Sequence, residues 1–216
     1  MDIKYYLLNP AGNITIIVKT PVKENDRRFV ADLLMKSEPR AEQVGFLEEN
    51  ILNMAGGEFC GNATRCASFL TGFKEIVCAG QAIKCECSAA FIPKDLQGIK
   101  HYIFEKEILN PEKEIKSNAK TEAIGFMFWD EKKSSLKPLV YVPNADTLFW
   151  ENSCASGTAA LGKYLSEKYN KLIDIDINEP GGVLHITTSP EDKYVRLDGE
   201  IILEKEGELC IPELNY

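Results

Sequence analysis

The sequence predicts an α/β fold of two similar lobes, each with its own strands wrapped around one central helix. Three observations carry this prediction. The segments Cys60-Gly61-Asn62-Ala63-Thr64 and Cys154-Ala155-Ser156-Gly157-Thr158 each set a cysteine directly before a helix-forming run. Both halves repeat one order of events: strands, a cysteine-headed helix, more strands. The two cysteines stand 94 residues apart, too far for a solenoid repeat and suited to a duplicated domain. Residues 1–109 are expected to form the first lobe and 122–216 the second, with the last strand returning to pair with the first.

Taken in order, Tyr5 to Val18 reads as two strands about the Asn9-Pro10-Ala11-Gly12-Asn13 turn, the second rich in β-branched residues. From Asn25 to Lys36, Phe29, Val30, Leu33 and Leu34 recur at helical spacing, with Asn25 or Asp26 as N-cap and Pro39 beyond the end. Strands at Val44 to Glu48 and Ile51 to Met54 lead through the Ala55-Gly56-Gly57 turn to Cys60. The helix from Gly61 to about Gly72 has an apolar face of Cys66, Ala67, Phe69 and Leu70, and strands at Glu75 to Cys78, Ala82 to Phe91 and Ile99 to Glu105 follow. Residues 110–121 are polar without apolar period and read as a linker.

The second lobe starts with strands at Ala123 to Trp129 and Pro138 to Val142, a turn at Pro143-Asn144-Ala145-Asp146, and a short approach to Cys154. A helix runs to Tyr169. Strands then read at Leu172 to Ile177, Val183 to Thr188, Tyr194 to Leu197, Ile201 to Lys205 and Glu208 to Ile211. Pro180-Gly181-Gly182, Asp198-Gly199 and Glu206-Gly207 punctuate them.

Of 216 residues, 44 % are hydrophobic and 27 % charged, ordinary for a globular protein. A net charge of −8 argues against nucleic-acid and anionic-membrane partners, which call for basic surfaces. The N-terminus enters a strand pattern without a basic and then apolar leader, and no apolar run approaches the roughly 18 residues that span a bilayer. Seven cysteines in such a chain point to reduced thiols and a cytoplasmic protein rather than a disulfide framework.

A cysteine at a helix start sits where unpaired N–H groups and the helix dipole favour an anion, which is expected to lower the thiol pKa from about 8.5 toward neutrality. Two such thiols, one per lobe, suit removal of the weakly acidic α-proton of an amino acid on one face and its return on the other. Backbone N–H groups at helix starts can hold the α-carboxylate.

Competing uses of these residues are weaker. Cys85 and Cys87 alternate in a strand pattern and point to one face, read as core; Cys66, Cys78 and Cys210 also read as structural. No C-x₂-C pair exists, so no metal site is expected, and His101 and His185 read as isolated structural residues. Gly56-Gly57 and Gly181-Gly182 lack phosphate-loop spacing and read as turns. Arg65 reads as a structural surface or interface arginine.

The stretch Glu58-Phe59-Cys60-Gly61-Asn62-Ala63-Thr64-Arg65-Cys66 resembles the C-G-N-G-x-R-C motif of diaminopimelate epimerases. Ser153-Cys154-Ala155-Ser156-Gly157-Thr158 resembles their second motif, A-C-G-[ST]-G. Gly12-Asn13, Ala41-Glu42-Gln43 and Pro180-Gly181-Gly182-Val183-Leu184 extend the likeness over almost the whole chain. The resemblance implies two pseudo-symmetric lobes, each a strongly bent sheet around a helix, with the site between them. It also implies a racemase or epimerase that needs no cofactor and acts through Cys60 and Cys154. Backbone N–H groups of Gly61, Asn62, Ala155 and Ser156 would hold the carboxylate, and Asn13 and Gln43 would line the pocket.

Departures from the family pattern narrow the substrate. Ala63 and Ala155 replace motif glycines. The E-R-G segment whose arginine holds a distal carboxylate is missing, and no arginine occurs between Arg65 and Arg196. A second carboxylate would then lack a partner. The expected substrate is an amino acid with one carboxylate, histidine first among them because histidine racemases are relatives of this family. Glu151 would bind the substrate ammonium or a basic side chain. Diaminopimelate itself, or a non-catalytic amino-acid-binding protein on the same fold, are the alternatives. A homodimer is compatible with the sequence, which does not specify oligomeric state.

Overall fold

The computed structural model describes residues 2–211. The first part of the chain forms β1 (Asp2–Pro10), β2 (Thr15–Val18), α1 (Glu24–Ser37), β3 (Gln43–Glu48), β4 (Ile51–Met54), α2 (Gly61–Thr71), β5 (Glu75–Cys78), β6 (Gln81–Glu86) and β7 (Ala89–Pro93). The second forms β8 (Ile99–Phe104), α3 (Pro111–Asn118), β9 (Ala123–Asp130), β10 (Ser135–Val142), β11 (Thr147–Trp150) and α4 (Ala155–Tyr169). It ends with β12 (Ile173–Glu179), β13 (Gly182–Thr188), β14 (Tyr194–Asp198) and β15 (Ile201–Cys210).

Hydrogen bonding links the strands in one path, β15-β1-β2-β3-β4-β5-β6-β7-β14-β13-β12-β10-β9-β8, with β11 attached to β10. One end of the path curls around α2 and the other around α4. The halves repeat a detailed pattern. A parallel pair brackets the outer helix in each, β2 with β3 around α1 and β8 with β9 around α3. An antiparallel step follows, β3 with β4 and β9 with β10. A second parallel pair brackets the cysteine-headed helix, β4 with β5 around α2 and β10 with β12 around α4. Both inner helices are largely buried because small residues line them: Ala63, Cys66 and Ala67 in α2, and Ala155, Ala159 and Gly162 in α4.

Several expectations need correction. Residues 111–118 form α3 instead of a linker, with Pro111 at its first turn and Ile115 buried against Ile124, Phe126 and Leu139. One buried contact in eight residues gives too little apolar period to read. β8, placed by sequence in the first lobe, pairs with β9 of the second. The approach to Cys154 contains a strand, β11, paired with β10. α1 starts after Lys23, with no side-chain cap from Asn25 or Asp26. Phe69 of α2 is exposed.

The strand expected over 82–91 breaks at Cys87, whose φ of 55° turns the chain. Cys85 is therefore buried while Cys87 is exposed. Conversely, Glu206-Gly207 is no turn: β15 continues through it in register with β1, the one register shift lying between Leu7 and Leu8. A Cβ on Gly207 would lie 2.3 Å from Cζ of Tyr5, so the glycine there makes room for an aromatic ring. Arg65 is fully buried rather than on a surface. Its Nε donates to Ser88 O at 2.6 Å, and its other donors reach Asn62 Oδ1 and Gly199 O, tying α2 to the β6–β7 and β14–β15 turns.

Candidate active site

The starts of α2 and α4 meet between the halves. They come close at Gly61, where a Cβ would lie 2.9 Å from the Cβ of Ala155. Asn62 Nδ2 donates across the junction to Ser153 O at 3.1 Å, and Ser153 Oγ donates to Pro10 O at 3.0 Å. Gly12 and Gly181, from turns of opposite halves, pack against each other; a Cβ on Gly12 would lie 2.3 Å from the Cα of Gly181.

A cavity opens at this junction. All nine residues expected at the site line it: Cys60, Cys154, Asn13, Gln43, Gly61, Asn62, Ala155, Ser156 and Glu151. Cys60 and Cys154 are the N-cap residues of α2 and α4. Gly61, Asn62, Ala155 and Ser156 are therefore the first two residues of each helix, whose N–H groups have no intrahelical acceptor.

Cys60 is held from two sides. Its Sγ donates to Gln43 Oε1 at 2.8 Å and accepts from the Ala63 N–H at 3.3 Å. Gln43 Nε2 in turn donates to Asn13 Oδ1 and, at 2.8 Å, to Thr15 Oγ1. Asn13 Nδ2 donates to Glu42 Oε2 at 2.6 Å, and Asn152 Nδ2 donates to the other Glu42 oxygen. At the second thiol, the Cys154 N–H donates to Glu179 Oε2 at 2.7 Å, and Thr158 Oγ1 donates to Glu179 Oε1. Glu151 lies against the Cys154 thiol. Ser156 Oγ is 3.7 Å from Cys154 Sγ and 3.2 Å from His101 Nε2.

The expected low thiol pKa is not found. Burial pushes both Cys60 and Cys154 well above the ordinary cysteine value. The Ala63 N–H beside Cys60 and the Gly157 N–H beside Cys154 pull the other way, but the neighbouring Glu151 carboxyl reinforces burial at both sulfurs. Burial also raises Glu151 and Glu179 to about 8, and lowers His101 to about 4, leaving its imidazole neutral at physiological pH. The site thus holds protons on both thiols and, below about pH 8, on Glu151 and Glu179.

Sequence reasoning missed five residues here. Glu42 and Glu58 stand inside the motifs already quoted, one beside Gln43 and one two residues before Cys60, while Glu179 directly precedes Pro180. His101 was read as structural, yet it reaches Cys154 through Ser156. Arg28 of α1 lines the cavity, and its guanidinium donates to the carbonyls of Asn144 and Ala145. A cation therefore does border the site, from the first half. The cavity remains acidic, with Asp32, Glu42, Glu58 and Glu151 against Arg28.

The architecture is that of known structures. A phenazine biosynthesis protein of the PhzF family from Enterococcus faecalis superposes with a TM-score of 0.63 at 14 % identity, covering 98 % of this chain and 100 % of that one. A probable proline racemase from Agrobacterium radiobacter superposes with 0.62 at 10 % identity, covering 99 % and 94 %. Sequence comparison goes further. The model described as "Histidine racemase CntK N-terminal domain" matches residues 2–95 and again 95–209, and the chain belongs to that histidine racemase family. The histidine racemase of Fusobacterium nucleatum subsp. nucleatum is 31 % identical, over 94 % of this chain and 95 % of that protein. That of Staphylococcus aureus is 26 % identical, over 86 % and 88 %. The chain is thus an isomerase of the amino-acid racemase and epimerase class.

Proposed function

We propose that this chain racemises histidine without pyridoxal phosphate, moving the α-proton between Cys60 and Cys154. The observation that carries the reading is the meeting of two cysteine-headed helix starts at one acidic cavity. The α-carboxylate would accept from the N–H groups of Gly61, Asn62, Ala155 and Ser156, which stabilise the negative charge that builds there as the α-proton leaves. One sulfur, deprotonated, takes the proton from one face, and the other thiol delivers a proton to the opposite face.

Because burial keeps both thiols protonated, the thiolate must be formed once substrate is bound. Glu151, against the Cys154 thiol, is the acceptor for that proton in its ionised form, whose share rises as pH approaches about 8. The substrate ammonium offsets the resulting charge. Gln43 and Asn13 hold Cys60 in place, and neutral His101 orients Ser156 beside Cys154. Four carboxyls against one arginine favour a substrate with a basic side chain and a single carboxylate. Free thiols of this kind persist in the cytoplasm, where we place the enzyme. The two cysteines and the four N–H groups that would hold the carboxylate come from one chain. Among the described residues, no helix is long and apolar enough to cross a membrane.

The test is to incubate enzyme free of pyridoxal phosphate with L-histidine and resolve the product by chiral chromatography, alongside other L-amino acids and LL-diaminopimelate. D-histidine is expected to form preferentially. Absence of D-histidine would overturn the proposal, and preferential conversion of LL-diaminopimelate would transfer it to the epimerase reading.

A further inference from the structure

The carboxyls around the cavity differ in how fully they are engaged. Both Glu42 oxygens accept hydrogen bonds from Asn13 and Asn152, and Glu151 lies against Cys154. Glu58 is different: the backbone N–H groups of Gly56 and of Glu58 itself lie beside its carboxyl, yet its Oε2 is buried with no hydrogen-bond partner among the described residues. An unpaired acceptor removed from water destabilises the fold, so such a group calls for a donor supplied from elsewhere.

Its surroundings indicate what donor. One stretch of the cavity wall contributed by the second half is apolar, formed by Val140, Val142, Ala145 and Phe149. Gly56 brings this wall and the carboxyl together, because a Cβ at that position would lie 2.6 Å from both Glu58 Oε2 and Val142 Cγ1. An apolar and aromatic wall beside one unpaired acceptor suits a flat, largely apolar ring with an N–H on its edge.

We propose that Glu58 is a specificity-determining residue, whose free carboxyl oxygen accepts a hydrogen bond from the side-chain N–H of the substrate's imidazole. This rests on the histidine reading above and names the group that selects the side chain. Aliphatic amino acids would leave the oxygen unpaired, and acidic ones would place a second carboxyl against it.

The experiment measures racemisation of L-histidine by wild type, Glu58→Gln and Glu58→Met, with thermal melting of each. Replacing the carboxyl by an amide, whose oxygen is a weaker acceptor, predicts a rise in KM of about 3- to 10-fold for Glu58→Gln, with kcat nearly unchanged. Glu58→Met should lose histidine binding yet melt no lower than wild type, because an unpaired buried carboxyl has been removed. A lower melting temperature for Glu58→Met would show the carboxyl to be a structural element and overturn the inference. So would a wild-type KM in Glu58→Gln, or a loss confined to kcat. Should Glu58→Met fail to fold, that failure counts as the structural outcome. If wild type racemises no histidine, the function proposed above fails along with this inference, a result visible before any substitution is made.

Discussion

Gly61 is the position where a single added methyl group should separate structure from chemistry. A Cβ there would lie 2.9 Å from the Cβ of Ala155 and 3.2 Å from the amide nitrogen of Ser156. Carbon atoms pack at about 3.5–4.0 Å, so Gly61→Ala must push the starts of α2 and α4 apart by roughly 0.6–1.1 Å. Overpacking of this kind costs about 1–3 kcal/mol. In a chain of this size each kcal/mol lowers the melting temperature by about 2–4 °C, so a drop of roughly 2–12 °C is expected. The same shift moves Cys60 away from Cys154, since each sulfur belongs to the residue next to the contact. A misplacement near 1 Å costs on the order of 10²-fold in rate. Gly72→Ala is the control, at the other end of α2. Gly72 has φ 74° with open space around it, so alanine strains the backbone by about 1 kcal/mol without touching the cavity. Both variants should melt lower, and only Gly61→Ala should lose kcat, measured by chiral chromatography at saturating L-histidine. Wild-type kcat in Gly61→Ala, or equal losses in both variants, would refute the reasoning.

Cys60→Ser and Cys154→Ser should each slow racemisation by roughly 10²- to 10⁴-fold while leaving the melting temperature nearly unchanged, since serine has a similar volume but is a far poorer acid and base at these positions. Thermal stability should fall as pH rises. Glu151 titrates near 8 in the fold against an ordinary 4.5, so the folded state binds its proton more tightly. The stability this gives is complete below about pH 4.5 and lost by about pH 8, and Glu151→Gln should flatten the melting curve between pH 5 and 8.5. Mild oxidant should inactivate the enzyme through the two cavity thiols, with recovery in dithiothreitol and two fewer titratable thiols in the inactive form; activity indifferent to oxidant would count against two free thiols at one site.

The two inner helices were legible because their determinants are local. A cysteine followed by small residues marks each start, and Gly72 marks the end of α2 in the left-handed conformation that glycine favours. α3 was not legible, because Ile115 alone anchors it and the rest of that segment faces water. Only the repeated strand pairing reveals it as the counterpart of α1. Gly207 misled for a different reason. Its neighbour is Tyr5, two hundred residues earlier, and no local pattern announces that contact.

At the site, nine of the residues that line the cavity were legible in the sequence, and its electrostatics was not. The helix-start argument for low thiol pKa values is sound for an exposed cysteine. Enclosure reverses it here, since burial and the Glu151 carboxyl outweigh one N–H donor at each sulfur. His101 and Glu179 escaped because their relevance depends on β8 and β12 passing the start of α4, a matter of tertiary structure. Arg28 escaped because α1 reaches across to the β10–β11 turn of the other half.

The distribution of isotope after a brief reaction of L-histidine in D₂O tests the two-sulfur account most directly. The account predicts deuterium at Cα of every D-histidine formed and none in the L-histidine recovered, because one sulfur removes the proton and the other delivers a deuteron already exchanged from solvent. Protium retained in the D-product, or label returning to the L-substrate as fast as product forms, would mean that one base serves both faces.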